Sequence, residues 1–98
     1  MPTAILTLEL RIEHAQSLKD RRQVVRSMKD KLRQGFNVSV AELDEAIVWN
    51  CATVGVAAIS GSRDYLAGLM AEVESAAQRI ALDHGAEIAD AFWDFAPE

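Results

Sequence analysis

The sequence predicts an α+β domain in which two helices lie on one face of a four-stranded antiparallel sheet. Three observations carry that prediction. Residues 3–13 alternate apolar and polar with the period of two expected of a strand that has one solvated face. Two long segments, each ending at a glycine, have the 3.6-residue period of amphipathic helices. Runs rich in β-branched and aromatic residues lie between and after them, so the order reads β-α-β-β-α-β.

The first strand places Leu6, Leu8, Leu10 and Ile12 on one side and Thr7, Glu9, Arg11 and Glu13 on the other. Ser17 can accept a hydrogen bond from a free backbone N–H at a helix start, and Gly35 is a natural C-terminal stop, so residues 18–35 form the first helix. Phe36, Val38 and Val40 alternate with Asn37, Ser39 and Ala41 as a second strand, and an acidic connection follows over 42–46. The third strand is expected over 47–60, weakened or bulged near Gly55, and the Ser60-Gly61-Ser62 cluster ends it. Leu66, Leu69, Met70, Val73, Ala77 and Ile80 stripe a second helix from about Arg63 to His84, stopped by Gly85. Residues 88–95 form the fourth strand. Two split βαβ units in tandem make a ferredoxin-like sandwich spanning residues 1–98 as a single domain, without linker, repeat or low-complexity segment.

Half of the 98 residues are hydrophobic, enough to bury an independent core without disulfide or metal. The lone Cys51 forms no internal disulfide, and no basic stretch, apolar stretch and small-residue cleavage site open the sequence, so a cytoplasmic location is expected. The longest nearly apolar run, Cys51 to Ile59, is about half the ~18 residues a membrane helix requires. The net charge of −5 is unevenly distributed. Residues 1–35 carry eight basic against four acidic side chains, whereas residues 36–98 carry two against eleven.

Much of the positive charge falls on one element. Lys19, Arg22, Arg26, Lys29 and Arg33 recur at steps of three and four, which aligns them as a stripe about 21 Å long beside the apolar face of the first helix. Three readings stand: a solvated face with internal pairing such as Arg26 with Asp30, a track for the phosphates of RNA or DNA, and a docking surface for an acidic protein. His14 and His84 share no ligand-spaced motif with Cys51 or a carboxylate, so no metal is expected. Cys51, inside a strand, reads as a small hydrophobe, and Glu42, Asp44 and Glu45 read as solvated acids rather than an acid/base pair. No glycine-rich phosphate loop or cofactor motif occurs, and no catalytic activity is expected.

The aromatics Trp49, Phe92, Trp93 and Phe95 invite comparison with sheets that stack RNA bases. The third strand, however, has no basic residue and one aromatic at its start, so stacking on it is not expected. The third and fourth strands read as apolar on both faces, Ile88 and Phe92 alternating with Ala91, Trp93 and Phe95. Helices cover only one of those faces, which predicts a homodimer through the outer face of the sheet.

Three blocks give the chain a family resemblance. Residues Ser17 to Met28 resemble a block S-L-K-x-K-R-x-V-V-x-S-L, Phe36 to Asp44 a block F-N-V-S-V-A-E-x-D, and Trp49 with Ala52 to Ala57 a block W-x-x-A-T-x-G-V-A. In that order they resemble the YlxP-like family of small bacterial proteins of unknown function. The chain departs from the pattern at Glu45-Ala46, where the family commonly has His-Gln. The resemblance implies a ferredoxin-like fold and no established enzymatic activity. Because the family's genes commonly neighbour those of translation initiation and ribosome maturation, it also implies an RNA- or ribosome-linked role.

Overall fold

The computed structural model describes residues 1–98. Its elements follow in the order β1 (Thr3–Arg11), α1 (Leu18–Gly35), β2 (Ser39–Glu42), β3 (Cys51–Ile59), α2 (Arg63–Asp83) and β4 (Glu87–Phe95). The strands form one antiparallel sheet of order β2-β3-β1-β4, with β1 and β3 central. This is the ferredoxin-like α+β sandwich that the order of elements predicts, including the hairpin of β2 with β3.

Both helices begin as their sequences dictate. The Ser17 side chain accepts from the Asp20 N–H at 3.2 Å, while Asp20 Oδ2 accepts from the Gln16 N–H at 3.0 Å. The first bond satisfies a donor the helix cannot use itself, and the second ties the residue before the cap to the first turn. Ser62 caps α2 by accepting from the Tyr65 N–H at 3.1 Å. At the other end of α2 Gly85 takes φ +69°, the left-handed conformation that closes a helix and that a side chain resists.

The core lies between sheet and helices. Leu6, Leu8 and Leu10 of β1, Val54 and Val56 of β3, Met28 and Leu32 of α1, and Leu66, Met70 and Val73 of α2 are all buried. On β1, β2 and β3 residues of one parity therefore face the helices, and the other parity forms the outer face.

Four strand expectations need correction. The second strand enters the ladder only at Ser39, because the chain bends beforehand and the Val38 N–H donates to the Phe36 carbonyl. β3 begins at Cys51, which leaves 47–50 in a loop and removes Trp49 from the strand. No bulge occurs at Gly55, where the register with β1 runs unbroken. Its missing Cβ instead makes room for Leu43, whose side chain lies where that atom would stand, 2.7 Å from the Leu43 Cδ1. The irregularity is in β4 opposite Glu9 and Leu10, and it changes the strand's phase. Ile88 thereby shares the helix-facing side with Ala91, Trp93 and Phe95, all packed on the core, and only Phe92 is turned outward among them.

An added Cβ at Gly85 would require the strained left-handed backbone and would meet the His14 ring at 3.2 Å. Gly85→Ala should lower stability by about 1–2 kcal/mol, read from the urea midpoint at unchanged slope.

Candidate functional site

The exposed side of α1 forms the most strongly cationic surface. Lys19, Arg22, Arg26 and Arg33 are exposed and Lys29 is half-buried. Of these five, only Arg33 has an ion-pair partner within 4.0 Å. The expected Arg26–Asp30 pair is not formed, since Asp30 reaches Arg33 instead at 4.0 Å. An acid placed N-terminal to its base is the better orientation on a helix, and Asp30 has that relation to Arg33 but not to Arg26.

Arg33 is further committed by donating from Nη2 to the Val40 carbonyl at 2.6 Å. Val40 lies on the edge strand β2, so this guanidinium covers a carbonyl that would otherwise be open to another strand. The predicted stripe of five thus divides. Lys19, Arg22, Arg26 and Lys29 are unpaired, while Arg33 is partly occupied with the fold.

A groove of 710 Å³ runs between this helix and the β2–β3 connection, lined by Leu18, Arg22, Arg26, Lys29, Glu42 and Ile47 among others. A second hollow, on the opposite flank of α1, is lined by Lys19, Arg22, Arg26 and Lys31. Arg22, Arg26 and Asp30 border both, and so form a ridge of two cations and one acid between two open depressions.

The sequence reading overlooked the residue that shapes the groove. Arg21 is buried, with its side chain 4% exposed. Its Nη2 donates to Glu42 Oε2 at 2.8 Å and Asp44 Oδ2 at 2.9 Å, and its Nε donates to the Cys51 carbonyl at 2.9 Å. Asp44 Oδ2 also accepts from the Thr53 N–H at 2.9 Å. These acids were expected to be solvated, but strand alternation turns residues 40, 42 and 44 toward the helix layer, where Glu42 and Asp44 meet the guanidinium. Glu45 is exposed, as expected. The signal for Arg21 was present in its position: residues 21, 24, 25, 28 and 32 share one helical face, and the other four are its buried apolar members.

The remaining polar candidates are dispersed. His84 Nε2 lies 2.7 Å from Ser27 Oγ, linking the two helices. His14 packs against Gly85, next in sequence to His84, and no group of three or more His, Cys, Asp or Glu is arranged to hold a metal ion. Cys51 is exposed rather than buried, because it opens β3 on the outer parity. Trp93 stacks edge-on against Phe95 at 5.2 Å, with Arg63 over the Phe95 ring at 4.7 Å, whereas Trp49 and Phe92 are more than half exposed.

The family model for a protein of unknown function, DUF503, matches residues 3–91. The chain belongs to this family. It is also 36% identical over 52 residues to the uncharacterized protein YlxP of Bacillus subtilis, a match spanning 53% of this chain and 56% of that one. Among solved structures, its fold is similar to part of the Bacillus subtilis YXEP protein, a dinuclear metal-binding peptidase of the M20 family, with TM-score 0.63 and 12% identity over 97% of this chain and 25% of that one. Arabidopsis thaliana MSL1 gives TM-score 0.64 and 20% identity over 91% of this chain and 34% of that one. A C-terminal segment of the alpha subunit of aIF2 from Pyrococcus abyssi gives 0.53 and 11%, over 100% and 53%. At such identities the likeness is one of fold, and the chain spans a quarter to about half of these proteins. No helix of this family member is long and apolar enough to cross a membrane.

Removing Arg21 would leave Glu42 and Asp44 facing each other without their shared cation. Arg21→Met should cost about 3 kcal/mol, because breaking a buried ionic cluster strands its remaining charges. Arg22→Ala, on the exposed ridge, should stay within about 0.5 kcal/mol. Urea unfolding of the two variants checks the contrast.

Proposed function

We propose that this family member is a non-catalytic cytoplasmic module that docks the phosphate backbone of RNA, free or on the ribosome, through α1. The observation that carries this reading is the line of Lys19, Arg22, Arg26 and Lys29, whose charges are not neutralised within the molecule. Cations held on a rigid helix at intervals of three and four residues present fixed donors to successive phosphates, and binding releases the counterions condensed on the nucleic acid. Arg33 adds to the field at the end of the stripe while holding Val40. The same cations would suit an acidic protein surface, and the salt response to oligonucleotides separates the two readings.

The affinity of the full chain for an RNA oligonucleotide should fall with rising salt by about 0.7 log units per log unit for each phosphate contacted. Reversing charge at Arg22 and Arg26 together should weaken binding and flatten that slope by about 1.4 or more, with unfolding little changed. Fluorescence anisotropy over a salt series measures both. Undetectable binding of RNA and DNA at low salt, where such contacts are strongest, would remove the reading in favour of an acidic protein partner.

A homodimer through the outer sheet face is a second part of the proposal, favoured by how the edges are treated. Ile5, Ile59 and Phe92 are exposed on that face. At the β4 edge the N–H groups of Ala91 and Phe95 are taken by the side chains of Asp90 and Asp94, and at the β2 edge Arg33 covers Val40. Edges guarded in this way oppose strand-to-strand pairing and leave the face as the surface for a second copy. Light scattering should give about twice 10.8 kDa, and Phe92→Glu should return the mass to one chain without unfolding it. A monomer at high micromolar concentration would exclude the dimer.

A further inference from the structure

We infer that the α1 groove is built for single-stranded rather than duplex nucleic acid, with one base stacked on Trp49; the inference rests on the phosphate-docking reading and adds to it the strandedness of the ligand. Three consecutive apolar side chains of the β2–β3 loop are held in solvent: Ile47 is 57% exposed, Val48 51% and Trp49 53%. The loop is fixed at both feet. On one side Arg21 binds Glu42 and Asp44. On the other it binds the Cys51 carbonyl, and the Ile12 N–H donates to the Asn50 carbonyl at 2.8 Å. Its exposed tip is therefore presented from an anchored base.

The first residue of the tip and the cations share one groove. Ile47 and the half-exposed Leu18 line the same groove as Arg22, Arg26 and Lys29, and Trp49 stands two residues beyond Ile47. A cationic groove bordered by a loop that carries an exposed aromatic is a combination suited to single strands, because phosphates run along the cations while an unstacked base covers the ring. A duplex offers the same phosphates but keeps its base faces stacked inside, so Trp49 would gain nothing from it. Glu42 on the groove wall shares Arg21 with Asp44, and Asp30 on the same wall lies 4.0 Å from Arg33, so the repulsion a polyanion would meet there is reduced rather than removed.

The test titrates the full chain at low salt with an RNA single strand of about twelve nucleotides and with a duplex of the same length, following anisotropy and tryptophan fluorescence. Trp93 faces the helix layer and is partly buried, so quenching by a stacked base reports chiefly on Trp49. The single strand should bind about 5- to 150-fold more tightly than the duplex and quench the fluorescence, that ratio being what one stacked base contributes. Trp49→Ala should remove the ratio and leave duplex affinity unchanged, while Trp49→Phe should retain most of it. Circular dichroism of both variants confirms the fold. Equal affinity for single strand and duplex, unaltered by Trp49→Ala, would overturn the inference and leave phosphate docking standing. Failure of both oligonucleotides to bind removes both readings, and Trp49-dependent binding to vesicles of anionic lipid in their place would reassign the surface to a membrane headgroup.

Discussion

A single guanidinium holds the two halves of this sandwich in relation to each other. Arg21 emerges from the N-terminal end of the buried face of α1, where an apolar residue would ordinarily pack, and reaches Glu42 at the end of β2, Asp44 just beyond it and the first carbonyl of β3. A buried cation carries a large desolvation cost, which here is offset by two carboxylates and a carbonyl in hydrogen-bonding geometry. Such a cluster tolerates little displacement of its parts. Its main structural consequence is the fixed position of the β2–β3 loop over the N-terminal half of α1, and with it the shape of the groove.

The alternation of the chain through 39–44 makes that cluster possible. Residues 39, 41 and 43 point to the outer face and 40, 42 and 44 to the helices, so one short stretch supplies Leu43 to cover Gly55 and Glu42 with Asp44 to meet Arg21. A shift of one residue would exchange these sets, burying Leu43 beside the guanidinium and exposing both acids. Gly55 helps to fix the register, because a side chain there would contest the space that Leu43 fills. The Arg33 bond to Val40 acts in the same direction from the far end of α1, so the edge strand is held by two arginines from one helix face to the other.

The elements whose period was long and regular were legible in the sequence: β1, both helices with their serine caps, and the order of all six. The local departures were not. The β4 bulge changes phase without a Gly or Pro to mark it, so Ile88 was placed on the wrong side from alternation alone. Trp49 read as the start of a strand because Ile47 and Val48 are β-branched, and β propensity does not distinguish an exposed apolar loop from a buried strand. The cationic stripe was visible as spacing, but its division into four unpaired members and one committed to Val40 depends on a contact across seven residues of chain. Arg21 could have been found from period alone, since a charge on an apolar face requires partners and two acids stand in the block that follows.

A chain of net charge −5 is an unusual candidate for a polyanion, and the placement of its charges resolves the difficulty. On α2 the acids Asp64, Glu72, Glu74 and Asp83 outnumber Arg63 and Arg79, and β4 adds Glu87, Asp90 and Asp94. The molecule therefore has a positive helix and a negative remainder, so a dipole adds to its net negative charge and matters most close to the surface. Such a field turns α1 toward an approaching phosphate backbone and turns the other surfaces away. Within about a Debye length, roughly 8–10 Å at ordinary salt, the local cations dominate over the distant acids. A uniformly basic domain would coat a nucleic acid in any orientation. On the proposed reading this distribution favours one face, so the loop beside the groove would meet a nucleic acid in a defined place.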